Sequence, residues 1–209
     1  MPYRQITMTR KKEKMGVDTL LVKELRQKTG AGVYACKHAL EKAGGDLEKA
    51  VKFLIVSGVQ VAKEKKSKPM PEGLVVSYIH HNHKVGAMIE IGCQTDFAAH
   101  VLVDFAKSIC MQIAATNPEF ISESDVPEER VIKEKDNIKA TMRANNKRPE
   151  VIDRYIKSRM RKFYLERCLL SQKSVSDSRY SVRDLLNLKI REVGENISII
   201  RFSRFQVGK

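Results

Sequence analysis

The spacing of the apolar residues changes abruptly at Gly73, and this change limits the fold more than any other feature. Before it, every apolar cluster repeats at three or four residues. Leu21, Val22 and Leu25 follow Asp18, which is suited to cap a helix, and the pattern stops at Thr29-Gly30. A second short helix is expected from about Tyr34 to Ala43, with Ala35, Ala39 and Leu40 on one side, until Gly44-Gly45 breaks it. Asp46 then caps a third helix bearing Leu47, Ala50, Val51, Leu54 and Ile55, expected to end at Ser57-Gly58. After Gly73 the text becomes β-rich. Residues 74–79 and 85–91 read as two strands joined by a turn at His81-Asn82-His83-Lys84.

Helical spacing then returns. Phe97, Val101, Phe105, Ile109 and Ile113 form an i, i+4 series ending near Ala115, before Asn117-Pro118. Residues 128–145 and 149–170 read as a helical hairpin, the first arm with Ile138 and Met142, the second with Ile156 and Met160. A short helix over about 181–193 leads through Gly194 into a strand over 196–207. That strand has only the hairpin to pair with, so the economical reading is a three-stranded antiparallel sheet. In this strand Phe202 and Phe205 are three apart and should face opposite sides. The expected class is α+β: a tail over 1–16, a three-helix bundle over 17–60, a Lys/Pro-rich linker over 61–72 whose lysine-rich start could equally be a helix end leading into it, and an α+β core over 73–209.

Charge separates the chain from an ordinary enzyme of its size. Among 209 residues, 39 Lys and Arg face 25 Asp and Glu, a formal net charge of +14, which points to a polyanionic setting or an acidic partner. Residues 133–162 hold eleven Lys or Arg against four Asp or Glu, half of that excess. This stretch reads either as a solvated face or as a surface toward ribosome or RNA. No apolar run is long enough for a transmembrane helix, and the basic first sixteen residues lack the apolar stretch of a secretory signal. Cys36, Cys93, Cys110 and Cys168 form no CxxC pair and sit among apolar neighbours, as buried reduced thiols do.

Chemistry is hard to find. No phosphate-cradling GxxxxGK[ST] occurs, and Gly30-Ala31-Gly32 with Ala35 follows a helix rather than the strand a dinucleotide site requires. His80, His81 and His83 fall in a hairpin turn with no Cys, Asp or Glu within four residues, which reads as a solvated turn rather than a metal site. No catalytic set and no cofactor is suggested.

Three segments in register give the chain a likeness. Val22-Lys23-Glu24-Leu25-Arg26 with Lys28-Thr29-Gly30-Ala31-Gly32, on to Gly44-Gly45-Asp46, is similar to the N-terminal three-helix domain, of ubiquitin-associated type, of the translation elongation factor Ts family. Gly92-Cys93-Gln94-Thr95-Asp96-Phe97-Ala98-Ala99 is similar to that family's core signature. Gly194-Glu195-Asn196-Ile197, with Arg201-Phe202 and Arg204-Phe205, resembles its terminal strand. The length resembles the short members with one core subdomain. The departures are Ala98 where Val is usual, Val33-Tyr34 where two methionines are frequent, and a strongly basic charge in a commonly acidic or neutral family.

The resemblance implies a guanine nucleotide exchange factor for elongation factor Tu, with no bond chemistry, cofactor or membrane of its own. It implies that Thr95, Asp96, Phe97 and Ala98 intrude beside the partner's magnesium and phosphate site, and that Leu25, Gly32, Val33 and Tyr34 dock on its nucleotide-binding domain. From the residues alone, Thr95 or Asp96 is a helix cap and Phe97 the first residue of a buried stripe. A rival reading keeps the fold but replaces exchange with ribosome or RNA binding. The implied setting is a bacterial cytoplasm, with a mitochondrial matrix or plastid stroma left open.

Overall fold

The computed structural model describes residues 17–65, 67–144 and 149–208, the side chains of 143, 144, 149 and 150 excepted. The tail expected over 1–16 lies outside the described residues. The described residues begin with α1 (Thr19–Thr29), α2 (Val33–Ala43) and α3 (Leu47–Lys65). The Asp18 carboxylate accepts from the Leu20 amide at 2.9 Å, as its position before an apolar repeat suggested. Gly30 ends α1 at φ 69°, a left-handed conformation that costs glycine little. Strands β1 (Glu72–Ile79) and β2 (Val85–Cys93) follow, then α4 (Asp96–Val101) and α5 (Val103–Thr116). The hairpin arms are α6 (Glu128–Ala144) and α7 (Pro149–Arg167), and α8 (Val182–Val193) precedes β3 (Ser198–Gln206).

The sheet is antiparallel in the order β1-β2-β3, and the class is α+β as expected. Its inner face sends Ile89 and Ile91 into one cluster with Leu102, Phe105, Ile109 and Ile113 of the helix layer. A bulge leaves Ile200 unpaired between the Ile91↔Ile199 and Glu90↔Arg201 pairs. Beyond it, Phe202 packs on the core and Phe205 stands on the outer face with Val75, Ile79 and Met88. The base of the α6–α7 hairpin is pinned to α5 by buried Gln112, whose amide donates to Gln172 Oε1 and the Lys173 carbonyl at 3.1 Å each and accepts from the Val175 amide at 2.8 Å. Each polar atom of that amide is therefore paired, as burial demands.

Two sequence expectations are corrected. The third helix does not stop at Ser57-Gly58 but runs to Lys65, so residues 61–65 of the expected linker are helical. Gly58 serves a different end: a Cβ there would run into the Asn187 carbonyl oxygen, so the glycine lets α3 cross α8 at backbone contact. The helix expected from 97 is also broken, at Leu102, into α4 and α5. Three members of the expected set, Phe105, Ile109 and Ile113, do enter the core, whereas before the break Ala98 and Leu102 take the buried positions expected for Phe97 and Val101. The break at Leu102 decides this outcome, because a one-residue change of register turns each side chain by about 100° and so separates the facing of α4 from that of α5.

The three-helix unit leans on the rest of the chain. Leu188 of α8 belongs to its core beside Leu25, Leu40 and Leu54. The Lys65 ammonium donates to the Gly194 carbonyl at the end of α8. A bundle of three short helices buries too little to be robust alone, and α8 supplies a fourth wall.

Candidate functional site

The strand–turn–helix passage from β2 to α4 places one aromatic ring in solvent. Thr95 is the N-cap, its hydroxyl accepting from the Ala98 amide at 3.2 Å. Asp96 opens the helix, where a carboxylate meets the positive end of the peptide dipoles. Ala98 is 0% exposed and Ala99 nearly so, and these small side chains seat α4 directly on the sheet. Asp96, Phe97 and His100 are left facing out, and Phe97 is 73% exposed. The ring stands clear of every core, beside the exposed Asp96 and His100 side chains. The His100 ring nitrogen lies 2.9 Å from the Asp96 carbonyl oxygen and 3.6 Å from its carboxylate.

The turn is fixed from a distance in sequence. One Glu195 oxygen accepts from the Thr95 hydroxyl at 2.9 Å, and the other from the Gln94 amide at 3.2 Å. Both bonds go to a carboxylate, the stronger class of hydrogen bond. Beneath them the Cys93 thiol donates to the Thr95 carbonyl at 3.2 Å. Burial, then the Glu195 carboxylate, push that thiol's pKa up, so it stays protonated and able to donate.

A second exposed apolar point sits on the Gly30-Ala31-Gly32 turn. Gly32 is the N-cap of α2. Val33 is 54% and Tyr34 83% exposed. Tyr34 stacks on His38 one turn later, with centroids 6.4 Å apart, and His38 meets Phe53 of α3 at 5.7 Å. The turn also touches α8, since a Cβ at Gly30 would meet the Glu192 carboxylate. The last turn of α8 therefore lies under the Tyr34 turn at Glu192, and the residues just beyond it hold the Phe97 turn at Glu195.

Against the sequence reading, Asp96, Phe97, Gly32, Val33 and Tyr34 are placed on the surface, with Thr95 capping at its edge. Leu25 and Ala98 are not. Both are fully buried: Leu25 carries α1 into the bundle core, and Ala98 is the small residue on which α4 rests. As placed here neither offers surface to a partner, so any share they take in the expected contacts runs through the residues they support. His38 and Phe53 went unassigned in the sequence, although the i, i+4 step from Tyr34 to His38 was available as a signal. Glu195 stood in a quoted motif, but no local pattern reveals a partner a hundred residues away. All four cysteines are free and buried, and no group of three or more potential metal ligands occurs among the described residues.

The family model described as Elongation factor TS matches residues 34–209. The chain is 47% identical over 190 residues to Elongation factor Ts of Caldanaerobacter subterraneus subsp. tengcongensis, covering 90% of this chain and 95% of that one. It is 43% identical over 197 residues to Elongation factor Ts of Thermodesulfovibrio yellowstonii, covering 93% and 98%. Against Elongation factor Ts of Petrotoga mobilis the identity is 42% over 197 residues, covering 93% and 100%. Matches of this extent, over the segments that build both exposed turns, leave one assignment: the chain belongs to the elongation factor Ts family.

Proposed function

We propose that Phe97, presented with Asp96 on the Thr95-capped turn, is the wedge by which this chain loosens GDP from elongation factor Tu. As a member of its family the chain is a nucleotide exchange factor for elongation factor Tu in translation elongation, and not an enzyme. The wedge assignment rests on the exposure of the Phe97 ring at the tip of a turn whose backbone is held by Glu195.

The physics of exchange is linkage. A protein that prefers the nucleotide-free partner weakens nucleotide binding by the same factor. Burying a phenylalanine ring contributes about 2 kcal/mol, and about 1.4 kcal/mol corresponds to tenfold, so this ring alone can shift the balance about thirtyfold. Magnesium bridges nucleotide phosphates to a G-protein, and the phosphates rest on backbone amides. A ring pushed between those elements, with the Asp96 carboxylate beside it, separates both from their ligands. Val33 and Tyr34 supply the second contact, on the nucleotide-binding domain, and tyrosine is well suited to anchor an interface.

The rival reading, a ribosome- or RNA-bound protein without exchange, has only the charge of α6 and α7 behind it and gives way to the family assignment. The bacterial relatives support a bacterial cytoplasm as the working compartment. The test of the wedge is release of a fluorescent GDP analogue from purified elongation factor Tu. Phe97→Ala is expected to remove about thirtyfold of the acceleration. Full acceleration by that variant would overturn the wedge while leaving family membership intact.

A further inference from the structure

A groove of about 550 Å³ lies where α7 meets the start of α8, far in sequence from either exposed turn. Its apolar surface comes from exposed Leu165 and half-buried Ile156, lying over the largely buried Met160 and Leu170. Around it stand Lys135 of α6, Lys157 and Arg161 of α7, and Arg183 of α8. All four side chains are exposed, and none has an ion-pair or hydrogen-bond partner among the described residues. Some neighbouring cations are paired, Lys139 with Asp136, Lys162 with Glu166 and Arg167 with Glu119, while Lys133 and Arg154, also on these helices, have no such partner among the described residues. The one carboxylate lining the groove, Glu123, already accepts from the Ser171 hydroxyl at 3.0 Å.

We propose that this groove receives an acidic amphipathic segment of a partner protein, its apolar side chains on Leu165 and Ile156 and its carboxylates on Lys135, Lys157, Arg161 and Arg183. The charge pattern selects the occupant. Four unpaired cations from three elements ring the groove and offer steering and register to a segment of opposite charge. The apolar wall then favours a protein segment over a nucleic-acid backbone, which would leave that wall unfilled. Stacking on bases has little to work with, because the one aromatic lining the groove, Tyr164, is engaged edge-on by Phe163 at 5.6 Å. An amphipathic helix laid in a groove needs this combination of apolar floor and charged rim.

The test uses the full chain at physiological salt and a fluorescein-labelled helical peptide with leucines at i, i+3, i+4 and i+7 and glutamates elsewhere. Fluorescence anisotropy is expected to show saturable binding, weakened about tenfold or more in Lys157→Glu/Arg161→Glu and in Arg183→Glu. Thermal melts verify that each variant folds, and the two variants lie on separate helices. A shuffled peptide of equal charge is expected to bind at least tenfold more weakly. Equal binding of the shuffled peptide, or unchanged binding by both variants, would overturn the groove. So would an oligouridine that binds more tightly than the peptide and is lost in the same variants, since that assigns the cations to phosphate. GDP release by the double variant is expected at the wild-type rate. Its loss would assign the groove to elongation factor Tu and overturn a separate site.

Discussion

Phe97 and Tyr34 are both exposed aromatic rings at the first turn of a helix that follows a glycine- or threonine-capped bend, yet they are held in different ways. Phe97 rides on a turn fastened by long-range polar bonds, both oxygens of Glu195 reaching back to Gln94 and Thr95. Tyr34 rides on a turn capped by Gly32, with no side-chain cap bond, and is steadied by stacking on His38 and, beyond it, Phe53. Directional bonds to a carboxylate fix a position. Stacking of exposed rings tolerates sliding, because the attraction varies slowly with offset. The wedge proposed at Phe97 calls for the first kind of support. The docking contact proposed at Tyr34 is served by the second.

The comparison predicts which variants change the rate and which change affinity. Phe97→Ala, with its expected loss of about thirtyfold, should lower the maximal rate of GDP release at saturating exchange factor. Glu195→Ala should follow, with a loss of about five- to tenfold, because the ring remains while its turn is released. Glu195→Gln keeps an acceptor for Thr95 or Gln94 and should recover part of the rate. Saturation curves of release against exchange-factor concentration separate the two parameters. A Glu195→Ala protein with an unaltered maximal rate would show that the latch is only structural.

Much of this arrangement was open to reading in the residues. Helical period, caps and glycine stops located α1 and α2 closely, because those signals are local. The three-stranded sheet followed from one hairpin and one unpaired alternating strand. What escaped was whatever depends on a distant neighbour. Gly58 carries the sequence signal of a helix end, but its missing side chain is spent on the α3–α8 crossing. The apolar series from Phe97 held from Phe105 onward but not at its first residue, because i, i+4 spacing does not show where a helix will break. The break at Leu102 and the small Ala98 turn Phe97 outward. Leu25 and Ala98 lie within motifs that carry exposed residues, and only packing separates support from contact.

Tyr34→Ala probes the second arm of the comparison. Loss of an anchoring ring should raise the concentration giving half-maximal release by about three- to tenfold and leave the maximal rate within twofold. His38→Ala should act in the same direction and more weakly, as it removes the stack but not the ring. A fall in maximal rate as large as that of Phe97→Ala would erase the distinction between the two turns.

The smallest expected effect concerns the thiols beneath each turn. Cys93 lies under the Phe97 turn, its pKa raised by burial and by Glu195. Cys36, beside the Tyr34 turn, is also raised by burial, but Thr29, Arg26 and Arg191 pull it back. In both cases the folded protein holds the proton more tightly than the unfolded chain. The resulting stability is complete below the ordinary thiol value of 9.0 and is lost as pH rises through the folded value. Above pH 9.0 the Cys93 thiolate would face a carboxylate, whereas a Cys36 thiolate would face two guanidinium groups. Alkylation followed by mass spectrometry at rising pH should therefore label Cys36 before Cys93. The reverse order would mean that the Phe97 turn opens more readily than the Tyr34 turn, and the rigidity assigned to the Glu195 latch would have to be given up.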